Sequence, residues 1–230
     1  MTAAADPFAP GTTLPALVAV GRWTPDPPLP APEALDEDWH EGTMVRVAED
    51  PQRARPIAVQ RMRFSQFLAA KAEVRAAGRP PGPARSRHLG ISLAMRAGSE
   101  AGPWLLQRRG AGVQLPGAVD GTATGLVPWP DEDPLPDLRA TLTAELEEET
   151  GWPSAWWVGT ARCHGVRRLE GAAGFLCVCT GVLRAGPDEA LAAFRPSEEV
   201  PGMLAVPDGE AVAGELTPFV RWLLAGGLAG

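Results

Sequence analysis

The run Ala-Glu-Leu-Glu-Glu-Glu-Thr-Gly, residues 144–151, decides how this chain is read. At about 100° per residue on an α-helix, Glu145, Glu148 and Glu149 stand at i, i+3 and i+4 and share one sector, while Glu147 points away. Like charges stacked this way repel, so a helix that concentrates them needs a counter-charge from outside itself. Hard carboxylate oxygens suit Mg²⁺ or Mn²⁺, which bind through a few carboxylates together with phosphate oxygens of a substrate. The competing reading of the same run is a solvated surface face.

The surroundings separate the two readings. The helix is expected from about Asp137 to Thr150, stopped by Gly151 and Pro153. Upstream lie an apolar strand ending at Gln107, then Arg108-Arg109-Gly110, Leu115-Pro116-Gly117 and a long Gly/Pro loop. This order resembles the Nudix hydrolase family, whose signature ends in Arg-Glu-hydrophobic-x-Glu-Glu-x-Gly-hydrophobic. Glu145, Leu146, Glu148, Glu149, Gly151 and Trp152 match its second half. The signature Arg is Ala144 here, the signature Gly falls on Ala118 with Gly117 before it, and about twelve extra residues stand between Gly121 and Pro136. The resemblance covers roughly residues 87–226.

That resemblance implies an α/β fold: a Nudix-type α/β/α sandwich with a mixed β-sheet, here carrying an N-terminal extension. It implies Mg²⁺-dependent (or Mn²⁺-dependent) cleavage of a diphosphate bond in a nucleoside diphosphate linked to another moiety. Glu145, Glu148 and Glu149 would serve as metal ligands and catalytic carboxylates, and Arg108, Arg109 and Gly117 would meet the substrate. A later loop supplies the base in some members, and Glu198 and Glu199 are the candidates here. Family members often form homodimers. The alternative is a Nudix-like nucleotide-binding or regulatory module that has lost turnover.

Composition sets the frame. With 230 residues, 45% of them hydrophobic, the chain can bury a sizeable core. Its 26 Gly and 25 Pro cluster before Met44, between Gly78 and Pro83, and between Gly117 and Pro136. The expected organisation is a flexible Pro/Ala-rich segment over 1–42, a small subdomain and linker over 43–86, and a Nudix-like domain over 87–230. A net charge of −7 argues against a nucleic-acid partner and leaves a small diphosphate held by metal allowed. The absence of a signal-like start and of any membrane-length apolar run leads to the expectation of a cytoplasmic protein with no membrane partner.

The apolar patch Leu14–Val20 is expected either to add a strand or to pack on the main domain, and strands are expected at Met44–Val47, Ile57–Met62, Leu89–Met95, Trp104–Gln107, Trp156–Cys163, Gly174–Leu183 and Met203–Val206. Ser65 is expected to cap a helix that Gly78 stops, and Thr217 with Pro218 to open a closing helix that ends at Gly226. Gly117, Gly121 and Gly125 lack the spacing of a phosphate loop and read as turn residues. Cys163, Cys177 and Cys179 read as free buried thiols in a reducing compartment rather than a zinc site. Trp129 reads as a packing residue of the loop.

Overall fold

The computed structural model describes residues 14–26, 28–29, 41–51, 56–76, 85–170, 172 and 174–229. Expectations for 1–13, for 30–40, for Gly78 and for 79–84 lie outside the described residues.

The strand Leu89–Ala97, β4, organises the molecule. Before it come β1 (Leu17–Arg22), β2 (Thr43–Val47), β3 (Ile57–Arg63) and the helix α1 (Phe64–Ala76). After it follow β5 (Trp104–Arg108), β6 (Val119–Asp120), β7 (Ala123–Leu126), α2 (Leu138–Thr150), β8 (Trp157–Arg167), β9 (Phe175–Leu183), α3 (Pro187–Ala193), β10 (Gly202–Val206) and α4 (Pro218–Leu224). The main sheet runs β10-β5-β4-β9-β8, with β6 paired to β5 and β7 paired to β4. β4 and β9 are parallel, and the other pairs of this sheet are antiparallel, so the sheet is mixed. A parallel pair cannot be closed by a tight turn, and the long connection between β4 and β9 carries α2.

Alternation along β4 splits the core into two. Leu89, Ile91, Leu93 and Met95 pack with Leu138, Leu142 and Leu146 of α2. Ala94 faces the other way, with Leu106, Val178 and the α4 residues Phe219, Val220 and Leu223. The expected α/β/α sandwich is therefore present. Each fully buried leucine of α2 contributes roughly 1.5–3 kcal/mol of transfer free energy.

The caps of α2 are written locally. Asp137 accepts hydrogen bonds from the backbone N–H groups of Arg139 and Ala140, and Gly151 adopts φ 71° while its N–H reaches the Glu147 carbonyl. Thr217 likewise accepts from Val220 N at the start of α4, where Pro218 takes the first helical position. At α1 the expectation fails. Ser65 lies inside the helix, and its amide donates to Glu41 Oε1, while Arg63 N donates to Gln66 Oε1.

The first three strands form a second sheet in the order β1-β3-β2. It is joined to the sandwich: Val45, Val47, Ile57 and Val59 share the α2-side core, and Val45 N donates to the Val127 carbonyl. The segment after Gly117, expected as a plain loop, instead holds β6 and β7. Gly125 sits in β7 rather than in a turn. Beyond β7, Trp129 is buried, its amide donates to the Thr43 carbonyl, and the Arg61 guanidinium lies 5.0 Å from its ring centre. The inserted residues thus fasten the N-terminal sheet to the sandwich. Among the described residues no helix is long and apolar enough to cross a membrane.

Candidate active site

The acidic face of α2 lies against β7. Glu149 Oε2 accepts the Thr124 amide at 2.7 Å and Gln107 Nε2 at 3.3 Å. Glu145 fills the space a side chain at residue 125 would occupy: a Cβ on Gly125 would come within 1.9 Å of Glu145 Oε1. Only glycine at that position lets the carboxylate approach the strand. Glu148 is exposed.

Crowding these acids out of water raises their proton affinity. Burial, then the charges of Glu148 and Glu199, push the Glu145 carboxyl up to about 7. Burial pushes Glu149 up to about 8, reinforced by Glu145 and Asp120 and opposed by the Thr124 amide and Arg109. The later loop of Glu198 and Glu199 is brought to this end of the site by Gly110, whose amide donates to the Glu199 carbonyl at 2.6 Å. A Cβ on Gly110 would lie 1.8 Å from the Glu198 carbonyl oxygen, so that loop can close only on glycine.

The substrate-binding candidates divide. Arg109 forms an ion pair with the buried Asp120 at 2.5 Å and donates to the Gln114 carbonyl. Asp120 Oδ1 also accepts from Gly121 N and Thr217 Oγ1, both at 2.8 Å. Arg108 instead donates to the Gly117 carbonyl at 3.1 Å. Gly117 adopts φ 75° and commits its amide to the Arg109 carbonyl, closing the turn.

A cleft of about 390 Å³ opens beside these groups. Arg109, Asp120, Thr124 and Gly125 line it, and α1 supplies Phe64, Phe67, Leu68 and Lys71. Arg108, Gly117 and the three glutamates are not among its walls. Thr124 and Gly125 stand between the two, touching the carboxylates and bordering the cleft. His88, another wall residue, lies beside Ser86 Oγ at 3.1 Å and edge-on to Phe67. Burial and the Lys71 charge push its pKa down to about 4, so it is a neutral ring at physiological pH.

The donor set suits a hard divalent cation, which would offset both the burial and the neighbouring negative charges that raise Glu145 and Glu149. Among the described residues the ligand-type group whose atoms all lie within 4.8 Å of one another is Cys163, Cys177 and Cys179. Glu149 is turned to Thr124 and Gln107.

In architecture the chain is similar to a solved Nudix hydrolase. That structure is RenU from M. smegmatis, at 16% identity and TM-score 0.40, covering 62% of this chain and 86% of that one. The MutT protein from Methanosarcina mazei Go1 is similar at 19% identity and TM-score 0.40, over 60% and 90% of the two chains. The E. coli ORF135 protein is similar at 24% identity and TM-score 0.39, over 64% and 94%. No family model and no curated protein matches the sequence.

Gln107, Thr124, Gly125, His88 and the α1 residues were not singled out as site residues in the sequence. Gly125 carried the one local signal, as a glycine within a stretch of β-forming residues, which marks close approach of another group.

Proposed function

We propose that the chain is a Nudix-type hydrolase that cleaves a diphosphate bond in a small molecule, with a nucleoside diphosphate linked to another group as the substrate class. The observation that carries this reading is the pair Glu145 and Glu149, both desolvated and seated against Thr124 and Gly125 at the edge of the cleft.

Glu145, Glu148 and Glu149 would hold Mg²⁺ or Mn²⁺. When bound, such an ion neutralises diphosphate charge and acidifies a water. Thr124 N–H and Gln107 fix the orientation of Glu149, a task for which residue 144 offers only the methyl of alanine. Glu145, with its proton affinity near neutrality, is suited to accept a proton at its carboxylate, and Glu199 is near enough to tune it. Arg109, held by Asp120, presents a fixed positive charge on the cleft wall for phosphate oxygens.

Ala144, standing where the Nudix signature has Arg, favours one rival, a nucleotide-binding module without turnover. A panel of nucleoside-diphosphate-linked compounds with Mg²⁺ or Mn²⁺, read by product analysis, separates the two. Hydrolysis abolished by Glu148→Gln and Glu149→Gln supports the enzyme. Binding without products supports the module, and neither binding nor a metal-dependent thermal shift sinks both.

A further inference from the structure

On the face of the sheet that also packs against α2, β8 and β9 bring three thiols together. Cys177 and Cys179 share one face of β9 by the two-residue period, and Cys163 stands opposite Cys179 on β8, where the register shifts before Val166. Their sulfurs all lie within 4.8 Å of one another, and Cys163 Sγ is 3.8 Å from Cys177 Sγ. Cys177 and Cys179 are buried, whereas Cys163 is partly exposed and leaves a route from solvent.

We propose that these three sulfurs bind one soft, thiophilic cation of the Cu(I) class in three-coordinate geometry. A metal at about 2.3 Å from each of three sulfurs holds them about 4 Å apart, so the triangle closes with small side-chain movements. Sulfur ligands select soft ions and discriminate against Mg²⁺ or Ca²⁺. Structural zinc asks for a fourth ligand. The adjacent His164 is engaged elsewhere, with Nε2 2.9 Å from Thr180 Oγ1 and its ring tilted against Trp222. Uptake displaces thiol protons to solvent as the metal–sulfur bonds form. The site is independent of the hydrolytic reading.

The test is an anaerobic titration of the reduced full chain with Cu(I) held by a chromogenic chelator. One equivalent per chain should be withdrawn, with near-ultraviolet sulfur-to-copper absorption and protection of Cys163 from alkylation. Cys163→Ser, at a partly exposed position, should fold normally by circular dichroism and lose affinity by more than roughly 100-fold, beyond the loss expected for a supporting neighbour of a metal. A wild-type chain that takes no copper from the chelator overturns the proposal. So does a Cys163→Ser chain that binds as tightly as wild type, and so does displacement of Cu(I) by Zn²⁺.

Discussion

The Glu145 carboxylate occupies the place of the missing side chain at Gly125, where an added Cβ would approach Oε1 to 1.9 Å and Oε2 to 2.3 Å. The clash would be with the end of a flexible side chain, which can swing away. Gly125→Ala should therefore leave the fold nearly intact while displacing the carboxylate. The expected result is a loss of hydrolysis of roughly 100-fold or more, on the scale of a displaced general base, with a melting temperature close to wild type. Equal activity in both chains would remove Glu145 from the chemistry.

Arg109 and Asp120 form a partly sheltered pair, 19% and 5% exposed. Removing the guanidinium leaves Asp120 with two neutral donors and no counter-charge. Arg109→Ala should cost roughly 2–4 kcal/mol in urea unfolding, and the Arg109→Ala, Asp120→Asn double variant less than the sum of the two. Strictly additive losses would mean that the two side chains do not act as a pair.

Where the sequence was legible, the determinants were local. Asp137 and Gly151 bound α2, Thr217 and Pro218 open α4, and the apolar alternation of β4 gives its two faces. β6 and β7 escaped because a Gly-rich segment acquires strand geometry only from its partners, here Gln107 and Arg108 for β6 and Gly90 to Leu93 for β7. The short helix α3 carries a local signal too, Pro187 at its first turn followed by Asp188 and Glu189. The α1 wall of the cleft was not legible, since Phe67 meets His88 through tertiary packing alone. The carboxylate spacing is legible as one helix sector, whereas the hydrogen bonds of Glu149 to Thr124 and Gln107 are not, because they depend on where β5 and β7 pack.

Trp129 tests the role of the inserted segment. It is 1% exposed, stacks with Arg61 and donates its indole N–H to the Asp133 carbonyl. Trp129→Ala should destabilise the chain by roughly 3–5 kcal/mol. Hydrogen exchange should rise first in β2 and β3, and far less in β9. Uniform acceleration across both sheets would show that Trp129 supports the core in general rather than the junction.

The raised carboxyls make stability depend on pH in a definite direction. Glu145 and Glu149 hold protons up to about 7 and about 8 in the folded chain, against an ordinary value of 4.5. Between those limits the folded state binds more protons than the unfolded one, so stability falls as pH rises. The contribution is fully present below about 4.5 and is lost as pH climbs through about 8. Glutamine mimics the neutral acid, so Glu149→Gln should gain stability over wild type progressively across that window. A bound divalent cation stabilises the ionised form, so Mg²⁺ should raise the wild-type melting temperature near pH 8 and hardly at all near pH 5. Thermal unfolding of both chains across this range, with and without Mg²⁺, checks both claims. A Mg²⁺ effect of the same size in Glu149→Gln would remove Glu149 from the ion's ligands, and parallel pH curves for the two chains would mean that Glu149 is ionised throughout.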